Sequence, residues 1–238
     1  HNNKGKKTGD HLGFTISYED LNDHIFIPEY YNPEIRKELE TLKNTSKYSL
    51  LSVGELIDKG ILQIKRGNEI GSQYYGTGDI PFVRTSDIVN WEIKVDPIKA
   101  VSEEVYNQYK EPQDIQEKDI LFVNDGTFLI GRTAMITKLD TKVIIQSHVK
   151  KIRVLDKTFI DPHYLFYLLN SKVVRKQIDS RIFVQATIST IGNRLRELIL
   201  PISCDQNEVK KITNEIRSII DEKAELREKT VKIVEGSI

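Results

Sequence analysis

The sequence predicts an α+β protein, with one β-rich domain followed by a long C-terminal helix of the coiled-coil type. Three observations support this fold class. Between residues 50 and 200, short apolar runs alternate with Gly, Asp, Asn and Ser, which is typical of strands joined by turns. Before this region, Asn32 and Pro33 resemble a helix N-cap and a proline in the first turn. After residue 205, apolar residues recur at alternating spacings of three and four.

Two shorter helices are also predicted, one before and one after the predicted strands in the sequence. The first begins at Pro33 and extends to about Leu42. The second follows Asp161, whose carboxylate can accept hydrogen bonds from the first turn, and occupies 162–169 with apolar residues at helical spacing. The strands are predicted at 61–65, 82–85, 119–123, 133–138, 143–146 and 149–154.

The last helix has its own start signal and a regular apolar seam. Asp205 with Glu208 resembles a capping box, although that motif normally begins with Ser or Thr. Lys223 and Thr230 interrupt the seam toward its end. The pattern predicts pairing with another helix, while packing against the chain's own core remains the alternative. The seam residues predicted to mediate oligomerisation are Val209, Ile212, Ile216, Ile219, Leu226 and Ile233.

The composition is that of a globular protein without membrane spans. The chain has 238 residues, of which 39% are hydrophobic and 29% are charged. No apolar run approaches the roughly 18 residues of a membrane span, and the N-terminal segment resembles no signal peptide. Cys204 is the only cysteine, which excludes an internal disulfide. We therefore expect a cytoplasmic protein. Because it lacks an initial Met, we also expect a fragment of a longer chain.

Charge is distributed unevenly, although the formal net charge is +0. Between Asn124 and Leu200 there are 13 Lys or Arg residues and 6 Asp or Glu residues, a local excess of seven positive charges. Such an excess suits a surface that follows nucleic-acid phosphates. The alternative is a solvated face with charges at helix ends.

Three polar loops carry the candidate nucleic-acid contacts. They lie at 75–88, 124–132 and 185–194, and each combines glycine with hydroxyl, amide or guanidinium groups. Asn and Gln can pair with adenine, Arg can pair with guanine, and a Thr methyl can contact thymine. Contacts to bases or nearby phosphates are predicted for Tyr74, Arg84, Thr85, Ser86, Asn124, Thr127, Arg132, Gln185, Thr187 and Ser189.

Phosphate contacts are predicted from a second set of basic residues. His148 begins the basic strand at 149–154, and it is either a nucleic-acid contact or a half-buried structural histidine. The remaining phosphate candidates are Lys65, Arg66, Lys150 and Arg194.

Enzymatic alternatives are less favoured by the sequence. Asp79 followed by Glu92 and Lys94 has the D…E-x-K order of metal-dependent nucleases, but this order arises readily by chance in a charge-rich chain. The Gly76–Gly78 turn does not open a helix, so it is a poor cofactor loop. We therefore expect no catalytic residue, metal or cofactor in this chain. A coiled-coil scaffold without DNA affinity is the second alternative.

Several short motifs resemble one known family, and their order along the chain adds to the resemblance. The motifs are IPEYYNP at 27–33, GDIPFVRTSDI at 78–88, DILFV at 119–123, GRTA at 131–134, SHV at 147–149, ATI at 186–188 and LILPI at 198–202, followed by the long helix. They resemble the target recognition domain and spacer helix of the DNA specificity subunit of Type I restriction-modification enzymes.

The resemblance implies a function, partners and a division of the chain. Residues 1–31 would be a tail or linker, 32–203 a DNA target recognition domain, and 204–238 a spacer or dimerisation helix. The domain would bind double-stranded DNA for a methyltransferase subunit that carries S-adenosylmethionine, and a restriction subunit would be a further partner. Family subunits usually carry two such domains, so this chain would be a dimerising half-subunit or part of a longer protein. Residues 1–9 resemble the end of an adenine methyltransferase domain, which implies a methyltransferase–specificity fusion.

Overall fold

The protein is described by a computed structural model that covers residues 13–22, 25–94, 99–126, 128–185 and 188–235. The α+β class and the long C-terminal helix are both confirmed. The α-helices are α1 (Pro33–Asn44), α2 (Val53–Asp58), α3 (Glu103–Gln113), α4 (Pro162–Asn170), α5 (Lys172–Ser180) and α6 (Gln206–Glu235).

The strands are short, and in the described residues they form five small sheets, the largest of which has four strands. In chain order they are β1 (Tyr48–Ser52), β2 (Leu62–Arg66), β3 (Ile80–Val83), β4 (Ile88–Val89), β5 (Glu92–Ile93), β6 (Ala100–Val101), β7 (Ile120–Val123), β8 (Asp125–Gly126), β9 (Thr133–Met135), β10 (Ile144–Ile145), β11 (Val149–Val154), β12 (Phe183–Gln185), β13 (Ile188–Thr190) and β14 (Ile199–Ser203).

The main sheet has the strand order β2-β11-β7-β9, and each neighbouring pair is antiparallel. Both faces of β7 are covered, which explains why its four residues are all apolar. Ile120 and Phe122 belong to the core that also contains α4, whereas Leu121 and Val123 belong to a second core on the other face. The sheet is therefore a rigid layer, and the loops at its ends are held by buried strands.

The long helix α6 packs on the main core through its first half. Ile216, Ile220 and Ala224 are buried. Asp205 accepts a hydrogen bond from the N–H of Asn207 at 2.8 Å, so it caps the helix as predicted. The side chain of Glu208 does not complete a capping box with Asp205, because its carboxylate accepts the Ser203 hydroxyl at 2.6 Å.

The predicted oligomerisation seam is divided by this packing, which corrects part of the sequence interpretation. Val209, Ile212 and Ile216 lie against the main core, as the alternative interpretation held. Ile219 and Leu226 remain 40% and 63% exposed. Ile233 is also exposed. The heptad pattern therefore combines two separate faces, one intramolecular and one exposed.

Most predicted elements are confirmed, but several short ones were missed. The strand at 149–154 has the predicted bounds, and the predicted helices correspond to α1, α4 and α6. Most of the missed elements are short or contain atypical residues; α3, for example, contains Pro112, and its C-cap residue Asp114 has a φ of 45°. In the ranges that the structure describes, helices with the length and hydropathy of a membrane span are absent. The missed elements are β1, β4, β5, β6, β8, β12, β13, β14, α2, α3 and α5.

Candidate nucleic-acid interface

Two strands of the main sheet end and two begin at the same edge of that sheet, which we call the loop end. It comprises the C-terminal ends of β2 and β7 and the N-terminal ends of β9 and β11, as the antiparallel register requires. Arg66 is the last residue of β2, Asn124 follows β7, Arg132 precedes β9, and His148 precedes β11. The sheet therefore brings four of the predicted contact residues to the same edge.

The other two predicted loops reach the loop end through shorter strand pairs. β3 runs parallel to β10, and the C=O of Val83 accepts the N–H of Gln146 at 2.9 Å. Arg84 follows β3 directly, so it lies beside the segment that leads into β11. β13 pairs with β8, with Ser189 opposite Gly126. The Arg84 end of the first predicted loop and parts of the other two loops thus meet at the loop end.

A cleft of about 650 Å³ opens at the loop end between β11 and the β12–β13 hairpin. We call it the Asp125 cleft. Its volume lies within the range of about 300–1,000 Å³ that is usual for ligand sites. It is lined by Ile57, Ile64, Ile188 and Leu195 and by the more polar Arg66, Asn124, Asp125, His148, Lys150, Thr190, Gly192, Asn193 and Arg196.

The buried carboxylate of Asp125 organises this cleft. Its Oδ1 accepts hydrogen bonds from Asn124 Nδ2 and Thr190 Oγ1. Its Oδ2 lies 3.2 Å from Arg66 Nη2 and 3.3 Å from His148 Nδ1. A buried carboxylate is stable only with such donors around it. Asp125 therefore holds three predicted contact residues in fixed positions, although the sequence interpretation did not select Asp125 itself.

The side chains of Lys150 and Arg194 donate hydrogen bonds to backbone C=O groups of the chain, which the phosphate prediction did not anticipate. Lys150 Nζ donates to the C=O of Gly192 at 2.7 Å, and burial lowers the pKa of Lys150. Arg194 donates to the C=O groups of Arg181 and Thr190, both at 2.9 Å, and burial lowers the pKa of Arg194 as well. These contacts give both residues a structural role, and their phosphate contacts remain predictions.

Arg84 is also engaged within the chain. Its Nε lies 3.7 Å from the carboxylate of Asp87, which is fully buried, and its backbone N–H donates to the same carboxylate at 2.9 Å. Thr85 and Ser86 are half-buried in the 3-10 turn Thr85–Asp87. The loop is thus fixed by Asp87, and base contacts from it remain predictions.

The remaining candidates differ in their positions. Ser189 is half-buried beside Gly126, whereas Tyr74 is exposed near the start of β3, the opposite end of that strand from Arg84. Lys65 Nζ donates to the C=O of Pro112 at 3.4 Å, away from the cleft. Thr127, Thr187 and the side chain of Gln185 lie outside the described residues.

Much of the local positive excess is neutralised by acids from elsewhere in the chain. Arg153 pairs with Asp119 at 2.7 Å, and Lys176 pairs with Glu38 at 2.7 Å. Other cations of this region are paired in the same way: Lys142 with Glu103, Arg196 with Asp58, and Lys138 with Glu228. The positive character of the loop end therefore depends on few side chains, chiefly the exposed Arg132 and the exposed Arg66, which also pairs with Asp125.

The structure gives no support to the nuclease alternative. Glu92 pairs with Lys223 of α6 at 3.1 Å, whereas Asp79 lies in the turn before β3. Across the described part of the chain, no group of three or more His, Cys, Asp or Glu side chains could hold a metal ion.

The role of Asp125 leads to a stability prediction for Thr190. Thr190→Val keeps the shape of the side chain but removes the hydroxyl that donates to the buried carboxylate. We expect the free energy of unfolding to fall by about 1–3 kcal/mol, measured by urea denaturation. Ser189→Ala, one residue away on the opposite face of the hairpin, is the control and should cost less than about 0.5 kcal/mol. Equal losses in the two variants would contradict this role of Asp125.

Comparisons with known proteins agree with this architecture. A family model for the Type I restriction modification DNA specificity domain matches residues 58–232. The S subunit of a Type-I restriction-modification system from M. genitalium has 18% sequence identity and a TM-score of 0.54, over 78% of this chain and 42% of that chain. The HsdS subunit from Thermoanaerobacter tengcongensis has 15% identity and a TM-score of 0.46, over 85% of this chain and 49% of that chain.

The coverage values show that this chain spans less than half the length of either structure. At this level of identity, the match to the M. genitalium subunit shows a shared fold. No curated protein sequence matches the chain.

Proposed function

The chain belongs to the family of Type I restriction modification DNA specificity domains, and we propose that it binds double-stranded DNA sequence-specifically within such a system. In this proposal the loop end contacts the duplex, and side chains of the three loops read base edges. The observation that supports the proposal is that parts of all three polar loops lie at one edge of the main sheet, with Arg84 from the first loop, Asn124 from the second and Ser189 from the third.

The chemistry at the loop end supports base reading more strongly than it supports tight, non-specific binding. Hydroxyl, amide and imidazole groups can distinguish base edges in the major groove, where all four base pairs differ. Because many cations are paired within the chain, we expect few phosphate contacts and a modest salt dependence. Arg66 and Arg132 are the best candidates for those contacts, which would position the domain on the duplex.

The proposal includes partner proteins that perform the chemistry. We expect a methyltransferase subunit or domain, with S-adenosylmethionine bound there, to act at the DNA site that this chain recognises. A restriction subunit would be a further partner. This chain would supply the sequence selectivity and a docking helix.

The exposed face of α6 supports helix pairing as part of this function. Ile219 and Leu226 are seven residues apart, so they lie on the same face of the helix. They remain exposed while Ile216 and Ile220 of the same helix are buried in the main core. A second copy of the chain, or a spacer helix elsewhere in a longer chain, would cover this face.

Replacing both exposed residues tests this pairing. For Ile219→Glu with Leu226→Glu, we expect self-association to weaken at least tenfold in sedimentation equilibrium, because two charges would enter an apolar contact. The free energy of unfolding should change by less than about 0.5 kcal/mol, since both residues are exposed in the monomer. Asn214→Glu with Ser218→Glu, on another face of α6, is the control. A monomeric wild-type chain, or equal association of both variants, would contradict self-pairing through this face.

Selection from a random pool of duplexes tests the function itself. The wild-type chain should enrich a short sequence, and the enriched duplex should bind more tightly than a scrambled one. Recovery of unenriched DNA would contradict sequence-specific binding.

A further inference from the structure

We propose that Ile188 contacts the 5-methyl group of a thymine and so selects thymine at one position of the target. This inference rests on the proposed DNA binding and specifies one of its contacts. Ile188 does not belong to the contact residues predicted from the sequence, all of which carry polar groups.

Ile188 is an accessible part of the Asp125 cleft. It begins β13, it lines the cleft, and it is 44% exposed. Strand residues two positions apart point to the same face of a sheet, so Ile188 shares its face with Thr190, whose hydroxyl donates to the Asp125 carboxylate. The side chain of Ile188 therefore lies on the cleft side of the hairpin, where a base edge can reach it.

The hairpin that carries Ile188 is held from several directions. β13 pairs with β12 on one side and with β8 on the other. Phe183 of β12 packs against the guanidinium of Arg194, which lies 3.6 Å from the ring centroid, and against the ring of Tyr30. Because the hairpin is fixed in the free chain, an apolar contact made by Ile188 loses little affinity to the ordering of the backbone.

The surroundings of Ile188 favour DNA as the occupant of this cleft. Although Arg66 pairs with Asp125, 58% of its side chain is exposed, and the exposed Asn193 lines the same cleft. Guanidinium groups suit phosphates, and amides suit base edges. An aliphatic side chain beside such groups matches a base edge that carries a methyl group better than it matches an apolar protein surface.

Thymine is the base that an aliphatic side chain can select. In the major groove, guanine, adenine and cytosine present hydrogen-bonding groups, whereas thymine presents a 5-methyl group beside its O4 acceptor. The side chain of Ile188 forms no hydrogen bonds, so it discriminates among bases through this methyl group. Uracil has the same O4 acceptor and lacks the methyl group, so it isolates the contact.

Uracil substitution provides the test, using the whole chain and the duplex enriched from the random pool. Each thymine in turn is replaced by uracil, and fluorescence anisotropy gives the affinity. At one position, wild-type binding should weaken about fourfold, which corresponds to the burial of one methyl group. At that position Ile188→Ala should bind the thymine and uracil duplexes equally, whereas Ile188→Val should keep most of the preference.

Val184→Ala is the matched control, because it shortens an exposed aliphatic side chain on the other face of the same hairpin. Val184 lies opposite Ser189 and is 73% exposed. This variant should keep the full preference for thymine. Since Ile188 is also exposed, Ile188→Ala should unfold in urea close to the wild-type midpoint, which separates a lost contact from a lost fold.

The outcomes separate this inference from the proposed function. If uracil has no effect at any thymine of the enriched duplex, or if Ile188→Ala keeps the wild-type preference, the assignment to Ile188 is overturned while the proposed function stands. Loss of the preference in Val184→Ala as well would also overturn it. If the wild-type chain enriches no duplex, the proposed function fails, and this inference fails with it.

Discussion

Replacing Arg153 with alanine is expected to lower the free energy of unfolding by about 3–5 kcal/mol. Arg153 donates through Nε and Nη2 to the two carboxylate oxygens of Asp119, both at 2.7 Å. These hydrogen bonds raise the pKa of Arg153 above its ordinary value. Since the side chain of Asp119 is 2% exposed, the variant would leave a buried carboxylate without its main partner.

The surrounding contacts explain why other groups cannot replace Arg153. Lys151 Nζ lies 3.8 Å from Asp119 Oδ2. This amino group already donates to the C=O groups of Gln113 and Asp114, both at 2.6 Å. Urea denaturation gives the stability of each variant. The control is Arg196→Ala, which removes an exposed pair with Asp58 and should cost no more than about 1 kcal/mol. A loss for Arg153→Ala as small as that of the control would show that the pair contributes little.

Removing Arg66 and Arg132 together is expected to weaken DNA binding about 10- to 100-fold on every sequence. Both side chains are exposed at the loop end, and each would neutralise one phosphate in the proposed complex. The slope of log affinity against log salt concentration should become shallower by about 1.8 units. Fluorescence anisotropy at several salt concentrations, with enriched and scrambled duplexes, measures both quantities.

The control for this prediction removes two positive charges elsewhere. Lys210 and Lys211 are exposed on the first turns of α6, so their replacement by alanine should change the salt slope little. Equal effects of the two double variants would indicate a general charge effect. A loss confined to one base pair would instead make Arg66 or Arg132 a base contact.

The sequence was sufficient to predict the α+β class and the long C-terminal helix. The apolar run of β7 is a strong signal, because a strand that is buried on both faces requires continuous apolar residues. The Asn32 and Asp161 caps were also visible, because capping depends on residues within one turn. The pairing of β8 with β13 was not visible, since strands of two and three residues are too short to show a periodicity.

The charges and the site were harder to predict, because they depend on distant parts of the chain. The ion pair of Lys176 with Glu38 spans 138 positions, so the local positive excess overstated the charge of the surface. Asp125 was overlooked because its importance arises only when Thr190, 65 residues away, folds against it. The pair of Arg84 with Asp87 is local, with a spacing of three residues, but the sequence interpretation assigned Arg84 to DNA and did not predict the pair.

Hydrogen exchange of the chain with and without its enriched duplex tests the central claim most directly, because it locates the bound face. The account predicts slower exchange at the loop end, at 66–68, 124–126, 146–150 and 188–194, with little change in α3. Slower exchange confined to α3 or α6, with the loop end unchanged, would contradict the claim that these loops form the DNA-binding surface.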